Sequence, residues 1–127
     1  MLKHLRIWMA SATLAAFALV ATPVIAASNS AKQPTKTIVV KVTAKDFSFK
    51  LSKASVKRGT TVVFKMVNKG AVVHDFQIVK LHKKTPYATP GKTKNVTIKF
   101  TKKGTYKYIC TVPRHASLGM QGSFKVT

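Results

Sequence analysis

From residue 37 onward, apolar side chains recur at every second position: Ile38, Val40 and Val42; Phe47, Phe49 and Leu51; Val62, Phe64 and Met66; Phe76 and Ile78; Val96, Ile98 and Phe100. Successive side chains of an extended strand point to opposite faces, so this pattern describes strands with one face buried and the other wet. Turn formers separate the runs, among them Arg58-Gly59, Asn68-Lys69-Gly70, Thr89-Pro90-Gly91 and Lys102-Lys103-Gly104. After residue 30 no helical stripe of several turns appears. An all-β domain is expected, an antiparallel Greek-key β-sandwich or barrel. Segment 81–92 has Pro86 and Pro90 and no alternation, and is expected to be a surface excursion between strands.

The chain before this domain has a different character. A basic start with Lys3 and Arg6 leads into an apolar run over residues 7–21, which ends in small residues at Ala26 and Ala27. This is the three-part pattern of a secretory signal peptide spanning residues 1–26, with cleavage near Ala26 or Ala27. A retained N-terminal membrane anchor is the alternative, because residues 7–27 are just long enough to span a bilayer. Residues 27–36 are small and polar and read as a flexible linker, leaving 37–127 as the folded domain. Export places that domain in the periplasm or outside the cell.

Compartment gives the single cysteine, Cys110, its meaning. Oxidising surroundings favour disulfides, yet one cysteine has no partner in its own chain. A thiol left free there would be oxidised or cross-linked unless a metal occupied it. The alternative reading of Cys110 taken alone is a buried core thiol.

The last eighteen residues resolve the choice. They carry a thiolate, an imidazole and a thioether as C-x4-H-x4-M: Cys110, His115 and Met120. Soft sulfur with imidazole suits copper, and two histidines, a cysteine and a weak axial methionine form an electron-transfer copper site. The second histidine is His74, in the stretch Asn68-x-Gly70-x3-His74, where a loop enters an expected strand over residues 75–80. Parity puts Cys110 on one face with Tyr106 and Tyr108, and His74 on one face with Phe76 and Ile78, so both can point inward. His4 falls in the leader and His82 in the excursion, away from any partner ligand.

The run Gly104-Thr105-Tyr106-Lys107-Tyr108-Ile109-Cys110, the Pro113-Arg114-His115 loop and Gly119-Met120-Gln121-Gly122 resemble the mononuclear cupredoxins, the blue copper family that includes plastocyanin, azurin and rusticyanin. The likeness runs from about residue 37 to the end of the chain. It implies one type 1 copper per chain, bound by His74, Cys110, His115 and Met120, with the ring edge of His115 presented through an apolar patch. Many members carry Asn after the first histidine where this chain has Asp75. A carboxylate near the cysteine loop would add negative charge beside copper and favour Cu(II).

The expected function is one-electron transport by Cu(II)/Cu(I) cycling, with copper storage or delivery as the alternative. An adhesion module for anionic surfaces, without redox chemistry, is a third class. Enzymatic acid–base work is not expected, since Asp46 and Asp75 are the only acids. The formal charge is +21, or +19 once Lys3 and Arg6 leave with the leader. Such a charge suits a redox donor and acceptor that are acidic or membrane-associated, and contact with an anionic membrane surface. Export argues against nucleic acid as a partner, and a monomer is expected. So few carboxylates also imply tolerance of low pH.

Overall fold

The computed structural model describes residues 35–127, together with Ala18, Val20, Ala21 and Val24. The rest of the leader and most of the linker inferred above lie outside the described residues. Among the described residues, no helix is long and apolar enough to cross a membrane.

The alternating runs become strands: β1 (Thr37–Lys45), β2 (Ser48–Leu51), β3 (Ser55–Val56), β4 (Thr61–Asn68), β5 (Gln77–Ile78), β6 (Lys83–Lys84), β7 (Thr93–Lys99), β8 (Gly104–Ile109) and β9 (Gln121–Val126). They form two sheets, ordered β2-β1-β4-β7 and β3-β9-β8-β5-β6. The all-β sandwich is therefore present, but its sheets are mixed rather than purely antiparallel. Strand β1 runs parallel to β4, with Ile38 opposite Val62 and Ala44 opposite Asn68. Likewise β3 runs parallel to β9. The reason lies in the connections: after the β1–β2 hairpin the chain crosses to the other sheet as β3, then returns as β4 in the direction of β1.

Burial follows the alternation. On β4 the inward residues Val62, Phe64 and Met66 are fully buried, while Lys65 between them is exposed. Phe64 centres the core, its ring 5.0 Å from Phe76, 5.2 Å from Phe124 and 6.2 Å from Phe100. Each such side chain contributes about 1.5–3 kcal/mol by leaving water. Gly122 is opposite Tyr108 on β8, and any Cβ there would collide with the tyrosine ring and hydroxyl. The aromatic ring thus takes the space over the glycine.

Two expectations need correction. The strand read over 75–80 is only β5, two residues long, followed by a 3-10 turn at Val79–Leu81. The excursion is more than surface: Lys83–Lys84 pairs with β5, and Thr85 and Ala88 are fully buried. Ala88 forms a bridge with His74, with reciprocal backbone bonds of 3.1 and 2.8 Å. Two prolines prevent a regular strand there, so the segment satisfies its neighbours bond by bond.

Candidate metal centre

One pole of the sandwich gathers the end of β8, the start of β9 and the loop that follows β4. Cys110 directly follows β8, and its N–H donates to the carbonyl of Met120 at 3.0 Å, which sets these two residues side by side. Between them, residues 111–119 fold into successive tight turns, with His115 N–H donating to Val112 O and Met120 N–H to His115 O, each at 3.1 Å. Arg114 and Gly119 both take positive φ, 69° and 114°. Glycine does so freely, whereas Arg114 does so at a cost of about 1–2 kcal/mol. His74 comes from the other side, locked by its bridge to Ala88.

The result is a buried trio. His74 Nδ1 lies 3.2 Å from His115 Nδ1, while Cys110 Sγ is 3.5 Å from His115 Nδ1 and 4.0 Å from His74 Nδ1. All three donor atoms fall within 4.8 Å of one another, and among the described residues no other group of this kind occurs. Met120 is fully buried beside Cys110. His82, by contrast, is exposed on a left-handed turn. The structure therefore brings together His74, Cys110 and His115, with the backbone of Met120 adjoining.

Burial shapes the electrostatics. It pushes the Cys110 thiol above its ordinary value of 9.0, despite backbone hydrogen bonds that act the other way. It also pulls His115 below 6.5, and the neighbouring His74 adds to that effect. Both shifts favour uncharged donors. A bound cation would reverse the preference at the thiol, since it stabilises the thiolate. One soft sulfur with two imidazole nitrogens fits copper, and the buried thioether of Met120 suits the same metal.

The chain's two acids both serve this pole. Asp75 is fully buried; its Oδ1 accepts the Thr111 N–H at 2.6 Å, and its Oδ2 accepts the Thr111 hydroxyl and Lys84 Nζ, the latter at 3.1 Å. Asp75 thus ties the residue after Cys110 to the residue after His74. The bond to Asp75 raises the pKa of Lys84 above its usual 10.5. Asp46, in the turn between β1 and β2, was read from sequence only as an acid. Its Oδ1 meets His74 Nε2 at 2.6 Å, and its Oδ2 accepts the Ala71 N–H at 2.7 Å. The Ala71 bond foremost, and then His74, hold its carboxyl below 3.8 against an opposing effect of desolvation. The scarcity of acids was the one sequence signal that could have marked it.

Comparison with known proteins agrees with the fold. The chain is similar over 72% of its length to auracyanin A, a "blue" copper protein from Chloroflexus aurantiacus, at 24% identity, 99% coverage of that chain and a TM-score of 0.58. It is similar to rusticyanin from Thiobacillus ferrooxidans at 23% identity, over 72% of this chain and 78% of that one, with a TM-score of 0.58. A heme-copper terminal oxidase also shares the fold, at 26% identity and a TM-score of 0.61, over 76% of this chain and 68% of the oxidase chain. A search of curated protein sequences finds no match. The family model described as "Cupredoxin-like domain" matches residues 14–122. With that match, a two-sheet β-sandwich and a His-Cys-His cluster at one pole that points to copper, the chain belongs to the cupredoxin-like family.

Proposed function

We propose that this protein is an exported mononuclear blue copper protein that carries one electron at a time, with His74, Cys110, His115 and Met120 as ligands. The observation that carries the reading is the convergence of one thiol and two imidazole nitrogens within 4.8 Å at a buried pole. Copper would supply the redox couple there. The chain's own part is to hold the donors still: His74 is fixed by its bridge to Ala88, and Cys110 and Met120 by their shared backbone bond. Donors that keep their places in both oxidation states leave little to rearrange when an electron moves.

His115 is the least enclosed of the three donors, 9% exposed against 0% for His74 and 1% for Cys110. Its loop also carries exposed Leu118, and the His74 loop carries exposed Val72. An electron would pass through the His115 edge, with these apolar side chains allowing close approach by a partner. The many lysines would steer acidic or membrane-associated donors and acceptors from a distance. Export rests on the leader pattern of residues 1–26, a basic start, an apolar run and small residues at Ala26 and Ala27. Storage or delivery of copper is less well served, because a delivery site needs ligands that an acceptor can reach.

The test is direct. Purified protein given Cu(II) should take up one copper per chain, turn intensely blue and bleach reversibly on reduction without losing metal. Stoichiometric zinc in protein from its native source, with no blue form on adding Cu(II), would overturn the reading.

A further inference from the structure

We infer that Asp46 is a positioning residue for the metal centre: its carboxylate holds the His74 proton on Nε2, turns the Nδ1 lone pair toward Cys110 and His115, and biases the centre toward the more oxidised metal. This deepens the copper reading and rests on it for the last of the three effects.

The argument begins with the two nitrogens of one ring. His74 Nδ1 faces the cluster, 3.2 Å from His115 Nδ1, while Nε2 meets Asp46 Oδ1 at 2.6 Å. An ionised carboxylate only accepts hydrogen bonds, so Nε2 must be the donor. In a neutral imidazole the other nitrogen is then a lone pair, which is the form a metal needs. A carboxylate behind a ligating histidine fixes the ring and raises its basicity.

The surroundings are built to keep this contact. Asp46 Oδ2 is held by the Ala71 N–H at 2.7 Å, so the carboxylate spans the loop that carries His74. Gly70 leaves room for it: a Cβ there would fall on Asp46 Oδ1 and within 2.8 Å of His74 Nε2. Asn68 in turn fixes Gly70 through a 2.8 Å bond to its N–H. The neighbour of Asp46, Phe47, sets its ring edge-on to both histidines, at 4.7 Å from His115 and 6.4 Å from His74. In a chain with 23 cations and two acids, Asp46 is the carboxylate that touches a ligand imidazole, whereas Asp75 is bonded to Thr111 and Lys84.

The two substitutions separate geometry from charge. Asp46→Asn keeps an acceptor oxygen for Nε2–H and removes the charge. Gly70→Ala keeps the charge and crowds the contact. In the metal-free protein at alkaline pH, nitrogen NMR of labelled histidine should show His74 protonated on Nε2 in the wild type and in Asp46→Asn, with that preference reduced in Gly70→Ala. A wild-type His74 protonated on Nδ1 would overturn the positioning role whether or not copper binds. In the copper-loaded protein at low salt, Asp46→Asn should lower the ratio of Cu(II) to Cu(I) affinity about tenfold, which raises the potential by about 59 mV for one electron. A ratio within about twofold of wild type overturns the charge effect. A merely structural ion pair would move stability and leave both readouts unchanged. Wild-type protein that binds no copper would refute the copper reading, and the charge effect with it, while the NMR result still decides the proton's place.

Discussion

Replacing Asn68 with Ala tests whether the His74 loop is held by one buried amide. Asn68 is fully buried at the end of β4, and its side chain makes three hydrogen bonds of 2.8 Å: Oδ1 accepts from Gly70 N–H, and Nδ2 donates to Val72 O and Ala88 O. Each is worth about 0.5–1.5 kcal/mol net, and a partner left unpaired inside costs about 1–3 kcal/mol. Ala88 O keeps the His74 N–H at 3.1 Å, and Gly70 and Val72 lie near enough to water to recover part of theirs. The expected loss is therefore about 3 kcal/mol, toward the upper end for a single substitution. Urea unfolding of the metal-free protein, followed by circular dichroism because the only tryptophan is Trp8, measures it. Asn68→Asp should lose at least as much, since a carboxylate would face two carbonyls. Exposed Asn95→Ala should stay within about 0.5 kcal/mol of wild type. Copper should also leave Asn68→Ala faster when challenged with a chelator. A loss below about 1 kcal/mol with unchanged copper release would refute the reasoning.

Met120→Gln should keep copper bound and lower the potential, by about 59 mV for each tenfold rise in the Cu(II) to Cu(I) affinity ratio, because an axial thioether tunes the metal more than it holds it. Loss of binding would make Met120 a primary ligand. Because burial lowers the pKa of His115 below 6.5, the unfolded chain takes up this proton first as pH falls. The stability His115 contributes is thus present above about 6.5 and is lost below it. Urea midpoints of the metal-free protein across this range should fall with acid, and His115→Gln should flatten the slope.

The alternation at Val40, Val42, Phe64 and Met66 was enough to read a sandwich, because one face of each strand had to be dry. It carries no information about which strands pair, so the parallel β1–β4 ladder was not legible. The spacing from Cys110 through His115 to Met120 marked the loop, since its residues are near neighbours in sequence. Asp46 was not visible in the same way. It meets His74 from 28 residues away, through a turn whose own sequence gives no sign of the contact. Thr85 and Ala88 were hidden for a related reason: single buried residues on either side of Pro86 leave no period to detect.

His74 and Cys110 are 36 residues apart in the chain, yet their donor atoms are 4.0 Å apart. Joined to one centre, they would close that stretch as a disulfide closes a loop, which a lone cysteine cannot do for itself. The chain-entropy treatment of such a cross-link assigns about 4 kcal/mol to a loop of this size, by restricting the unfolded ensemble. Occupancy would then govern survival as well as electron flow. A protease would meet the loaded chain as a tethered molecule and the stripped chain untethered.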